Sequence, residues 1–179
     1  MSSSSKRIRR RPFRSSTEKT VYHEAGHAVV ALAQGVEVRR VSISGRCCEY
    51  GKEGQPVNEY AAIPSDRRRL LKAVQQSIVL AYAGLAAEAV FTGQDPRKSE
   101  GTSFDENLIG VWASSMFDTD DEESTWAFIE KCWRGAKRIL RRDWQAMESL
   151  AVALLEQQDE LDGPAVLNAI GPVLPAPSR

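Results

Sequence analysis

At 179 residues and 42% hydrophobic content, the chain is long enough to bury one sizeable core, and its apolar stretches fall short of the roughly 20 residues that span a bilayer. Three cysteines without CxxC spacing exclude a zinc knuckle and an obvious disulfide framework, which suits a reducing cytoplasm. The formal net charge of zero conceals an asymmetry: the first sixteen residues carry six basic groups and no acid, leaving 18 basic against 24 acidic residues in the body.

Residues 1–16 read as a disordered, Ser-rich basic tail with no apolar run behind its charges, so neither a secretory signal nor a membrane anchor is expected. A solvated tail explains it better than a nucleic-acid contact, because the body is acidic and no nucleic-acid-binding fold accompanies it. Ser15 with Glu18 predicts a capped helix start, and Val21, Ala25, Ala28, Val29 and Leu32 recur at helical spacing up to Gly35. Residues 36–44 (VEVRRVSIS) alternate apolar with polar and predict one or two strands. Residues 45–64, rich in glycine and proline, predict an exposed hairpin or loop with a short strand at Tyr60 to Ile63.

From Ser65 to Gly93 the periodicity predicts one long helix, basic and exposed at first and apolar all round later, with Gly84 allowing close approach of the first helix. Ser103 and Glu106 predict a further helix to about Phe117. Trp126, Ile129, Trp133, Ala136, Leu140, Trp144, Met147, Leu150 and Leu154 predict a final long helix whose tryptophans pack in a core. Leu161 to Ile170 predicts a short closing helix with Pro164 in its first turn. The expected fold is mainly α with a small β-sheet or hairpin, formed by residues 17–171 and followed by a flexible tail at 172–179.

Chemistry concentrates in the first helix. His23 and His27 stand one turn apart on one face of it, which lets both imidazoles address one point, and zinc accepts nitrogen ligands at about 2.0–2.1 Å. They are the only histidines in the chain. Glu24 beside them is placed to act as a general base on water. A hydrolytic zinc site needs a third protein ligand, for which Glu88, Asp105 and Cys132 are candidates. Glu88 lies in an apolar helix where a carboxylate needs a partner such as an imidazole N–H, Asp105 follows a glycine-bearing loop, and Cys132 is explained as a core residue. Spacing leaves Glu88 and Asp105 both open.

The segment TVYHEAGHAVVAL resembles the start of the peptidase domain of FtsH-type, ATP-dependent metalloproteases. LAYAGLAAEAVFTG resembles that family's GGRAAE segment, SEGTSFDENLIGVWASSM its TTGASNDL segment, and residues 136–170 its C-terminal helices, in the same order over most of residues 17–171. The resemblance implies an FtsH-like helical bundle holding one Zn2+ through His23, His27 and Asp105, with Glu24 as catalytic base and Glu88 orienting a ligand histidine. Departures are Leu85 in place of the family's arginine, Phe104 in place of the asparagine before the ligand aspartate, and the lack of a Walker-type nucleotide loop.

The expected activity is therefore ATP-independent, zinc-dependent hydrolysis of unfolded or flexible polypeptides, with a separate ATPase or adaptor as a conceivable partner. The alternative is a catalytically idle zinc-binding module for protein interaction or regulation, against which the intact Glu24 speaks. A strand within 36–44 is expected to hold an extended substrate by edge addition.

Overall fold

A computed structural model describes residues 8, 11–51, 66–98, 109, 113, 121–157 and 159–171. The first helix, α1 (Ser16–Ala33), opens where Ser15 Oγ accepts from the Glu18 N–H at 3.0 Å. In a full capping box the Glu18 carboxylate would return to the Ser15 N–H, but here it accepts from the Arg14 N–H at 2.6 Å and from the Arg11 guanidinium. That guanidinium, helped by the Arg14 amide, holds the Glu18 carboxyl below its ordinary range. Beyond Val21 the helix is enclosed on nearly all sides, with Ala25, Ala28, Val29 and Val30 fully buried.

Strand β1 (Val38–Ser42) forms a hairpin with β2 (Cys47–Tyr50), turning through Arg46 at φ 47°. A third strand, β3 (Glu160–Asp162), pairs with the other side of β1, giving an antiparallel sheet in the order β2-β1-β3 among the described residues. Val41 faces Cys48 on one side and Leu161 on the other. Strand β3 escapes the sequence reading because three residues with one inward side chain cannot display a two-residue period. The closing helix α6 (Gly163–Ile170) starts directly after it, capped by Asp162, whose carboxylate accepts from the Ala165 N–H at 2.9 Å, with Pro164 in the first turn.

The helix expected over 65–93 is two helices, α2 (Arg67–Ala81) and α3 (Ala83–Thr92), bent by 49° at Tyr82. Tyr82 is buried, at φ −75° and ψ −7°, a conformation that ends one hydrogen-bond ladder and starts the next. The bend lays α3 flat on α1. Gly26 and Gly84 make this approach possible: a Cβ on Gly26 would stand 2.6 Å from the Ala87 Cβ and 2.8 Å from the Ala83 carbonyl oxygen. The expected packing of Gly84 on the first helix is thus present. Gly93, at φ 78°, closes α3 in the left-handed conformation that glycine adopts without strain.

The expected final helix is likewise divided, into α4 (Glu122–Arg142) and α5 (Trp144–Glu156). Asp143 interrupts the ladder and its carboxylate accepts from Arg142 Nε at 2.8 Å. Trp133, Ala136, Leu140, Trp144, Met147, Leu150 and Leu154 are buried as predicted, but Trp126 is 64% exposed. It lies in the second turn of α4, and helical phase alone does not report whether a neighbouring element covers it. Arg97 fastens the turn after α3 onto α4. Its guanidinium lies 4.2 Å from the Trp133 ring centre, donates to Asp95 Oδ2 at 2.8 Å and reaches Glu130 at 2.5 Å.

Ile109 and Ala113 are helical and buried, in keeping with the helix expected there; its start at Ser103, and the strand expected at Tyr60 to Ile63, lie outside the described residues. Among the described residues no single helix is long and apolar enough to cross a membrane, and the bent α2–α3 pair that reaches the length is packed into the fold through α3.

Because the Gly26 position has no room for a methyl group, Gly26→Ala is expected to lower stability by about 1–3 kcal/mol while leaving the helical content unchanged. Urea denaturation followed by circular dichroism measures this; a midpoint equal to the wild type's would mean that α1 and α3 are not in this contact.

Candidate metal site

One turn of α1 and the joint between α2 and α3 together build the site. The helical spacing places His23 and His27 side by side, with ring centres 5.0 Å apart. The first turn of α3 runs beneath His23 so closely that a Cβ on Gly84 would lie 2.3 Å from His23 Nε2. Only a glycine leaves the ring its place.

Each imidazole is oriented through its Nδ1. His23 Nδ1 is 2.9 Å from Glu88 Oε1, and His27 Nδ1 is 3.1 Å from the Leu80 carbonyl oxygen. A carbonyl and a carboxylate can only accept, so both Nδ1 atoms carry the hydrogen and donate it. The Leu80 carbonyl belongs to the last turn of α2, where a helix leaves acceptors without an internal partner. The bend at Tyr82 thus furnishes the group that sets the tautomer of His27.

With the hydrogens on Nδ1, both Nε2 atoms present lone pairs, and they stand 3.3 Å apart. Two nitrogen lone pairs facing each other at that distance repel unless a proton or a cation lies between them. Two nitrogen ligands at about 2.0–2.1 Å from one tetrahedral zinc are separated by about 3.3–3.4 Å. The histidine pair therefore fits two adjacent positions of a zinc ion in separation, tautomer and donor chemistry.

Glu88 is only 5% exposed on an apolar helix, where an unpartnered carboxylate would be costly. It has two partners from α1: His23 through Oε1, and Lys19 Nζ, 3.2 Å from Oε2. The contact with an imidazole N–H expected of Glu88 is present. Lys19 was not singled out in the sequence; it lies one turn before His23 on the same face, a spacing that could have drawn attention to it.

Glu24 is also 5% exposed and faces the β1–β2 hairpin. Its carboxylate adds to the rise that burial imposes on the Cys48 and Cys47 thiols. Helix α1, which carries Glu24, packs against β2. Cys132 is fully buried in the core, and burial pushes its thiol up to about 12. Asp105 lies outside the described residues. Among the described residues no three His, Cys, Asp or Glu side chains converge as a metal set, so the described part of the site is the two-histidine half.

No protein-family model matches the chain, and no curated protein matches it.

The space above Gly84 and the hydrogen bond to Glu88 can be tested separately by titrating zinc against a chromophoric chelator. Gly84→Ala, which drives a methyl group into the His23 ring, is expected to weaken zinc binding by about 100-fold, and Glu88→Gln by about 10 to 100-fold. Both proteins should keep the wild-type circular dichroism spectrum. Wild-type zinc affinity in both would remove the two histidines from any metal site.

Proposed function

We infer that the chain is a zinc-dependent peptidase that hydrolyses unfolded or flexible polypeptides without an ATP-driven step of its own. The observation that carries this reading is the 3.3 Å approach of two Nε2 lone pairs, each turned inward by an acceptor on Nδ1, with the buried Glu24 next to one of them in sequence. The resemblance to FtsH-type peptidases supports it and supplies Asp105 as the third ligand.

Zinc, when bound, acidifies a water molecule and polarises a carbonyl oxygen. The protein's own groups do the rest. His23 and His27 hold the ion through Nε2, and Glu88, braced by Lys19, keeps the His23 hydrogen on Nδ1. Glu24 takes a proton from the attacking water on its carboxylate and returns it to the leaving amine nitrogen, so that one residue serves as base and then as acid.

The expectation that a strand within 36–44 adds a peptide at its edge does not hold for β1, because β1 is central, with both edges already paired. Among the described residues β2 is an outer strand, and α1, which carries Glu24, packs against it. An extended peptide pairing with Cys47–Tyr50 would pass beside α1 with its carbonyls regularly spaced. A flexible polypeptide can adopt the extended form that such pairing requires, which is why it is the substrate class. A separate ATPase or adaptor that delivers unfolded chains in the cytoplasm is compatible with this reading.

The test is cleavage of a quenched fluorescent flexible peptide by the wild type, Glu24→Gln and Asp105→Asn, with zinc content measured on the same samples. Glu24→Gln is expected to keep zinc and lose activity by at least about 100-fold, within the range for a general base. Asp105→Asn is expected to lose both. Pure, folded, zinc-loaded wild type that cleaves nothing would instead identify an idle zinc-binding module acting in protein interaction or regulation.

A further inference from the structure

Helix α2 begins with Arg67, Arg68 and Arg69, followed by Lys72, all exposed. Positive side chains at a helix N-terminus oppose the helix dipole, so this run does not serve the stability of α2. One acid stands among them, Asp66, and it is engaged in capping: its carboxylate accepts from the Arg68 N–H at 3.0 Å and lies 3.9 Å from Arg69 Nε.

The neighbouring helix adds to the charge. Val79 packs 3.4 Å from the position of a Cβ on Gly135, and the Tyr82 ring lies 5.2 Å from that of Trp133, so α2 and α4 run antiparallel. Extended at the same rise, the second turn of α2, with Lys72, comes level with the end of α4, where Arg138 and Arg141 are exposed, and Arg67, Arg68 and Arg69 stand about one turn beyond it. Among the described residues, none of Arg67, Arg68, Lys72, Arg138 and Arg141 has a carboxylate within ion-pair distance. The chain as a whole is neutral, so this surface concentrates positive charge that composition alone does not require.

The cluster is connected to the candidate metal site along one helix face. Leu80, whose carbonyl holds His27, is followed backwards by Gln76, Lys72 and Arg69, at steps of four, four and three residues. Gln76, Lys72 and Arg69 are exposed, so the stripe is open along its length. At 1.5 Å per residue, Lys72 lies about 12 Å and Arg68 about 18 Å along the axis from Leu80. An extended polypeptide covers that span in about four to six residues.

We propose that the basic surface at the start of α2 and the end of α4 is an exosite for an acidic segment of the polypeptide substrate, engaged about four to six residues from the bond cleaved at the histidine pair. It rests on the peptidase reading for its role, but its binding can be measured without cleavage. The exosite raises the local concentration of acidic chains and adds nothing to the chemical step, so it acts on KM and not on kcat.

Fluorescence anisotropy with Glu24→Gln protein and three labelled flexible peptides, sharing one core and ending in a run of glutamates, serines or lysines, tests it. The glutamate peptide is expected to bind about tenfold more tightly than the serine peptide at low salt, with the difference shrinking as salt is added. The triple substitution Arg68→Ser, Arg69→Ser, Lys72→Ser, all on exposed positions, is expected to abolish the difference. In the active protein the same substitutions should raise KM for the glutamate peptide by about the same factor with kcat unchanged. Equal binding of the three peptides, or a preference that survives the triple substitution, would overturn the exosite. A single-stranded oligonucleotide or phosphatidylserine vesicles binding more tightly than the glutamate peptide, and losing it in the triple variant, would overturn it in favour of nucleic acid or membrane. If no peptide is cleaved by wild type but charge-selective binding is present and lost in the triple variant, the peptidase reading fails and the anion-docking surface stands.

Discussion

The close crossing of α1 and α3 is the contact on which the rest of this molecule depends. Two glycines, Gly26 and Gly84, remove the side chains that would hold the helices apart, and each fills the gap opposite with an atom of its neighbour. The gain is dispersion between densely packed backbones and small side chains, chiefly Ala83, Ala87 and Ala25. The same proximity decides the chemistry. A helix one methyl group further away would leave His23 without its floor over Gly84 and Glu88 out of reach of His23 Nδ1.

Burial then forces the polar groups into definite roles. Two carboxylates, Glu24 on α1 and Glu88 on α3, are buried, and a carboxylate so enclosed requires partners. Glu88 finds them one turn apart on α1, in Lys19 and His23. His27 finds its acceptor in a helix end, because the bend at Tyr82 stops α2 at the level of the site. In this way one irregularity in the helical ladder, a discontinuity of 49°, supplies both the direction of α3 and the orientation of a histidine.

The surrounding elements hold this arrangement without entering it. Arg97, between Asp95, Glu130 and the Trp133 face, ties the end of α3 to α4 with bonds to charged groups that are partly shielded from water. The sheet is anchored at β1, whose centre faces the core through Val41, and Gly163 lets α6 approach so closely that a Cβ there would lie 2.5 Å from the Val38 carbonyl oxygen. Among the described residues β2 and β3 are the outer strands of the sheet, and α1 packs against β1 and β2.

Much of this was legible in the residues. The capped start at Ser15, the helical spacing of His23 and His27, the role of Gly84, the need of Glu88 for an imidazole partner and the mainly helical character follow from local rules of period, capping and burial, which act over a few residues. The breaks at Tyr82 and Asp143 did not follow, since each flanking segment is a good helix in phase with the next and the period along the chain does not report how α2 and α3 pack on α1 and α4. Nor did the exposure of Trp126, the pairing of β3 with β1, the central position of β1, or the carbonyl of Leu80 as partner of His27. Each joins residues 50 to 120 positions apart or depends on where a neighbouring element stops, and no periodicity along the chain carries that information. The sequence by itself determined that two imidazoles stand one turn apart on one helix face; only the tertiary structure turned their Nε2 atoms toward each other, because ring orientation is set by acceptors beyond that helix.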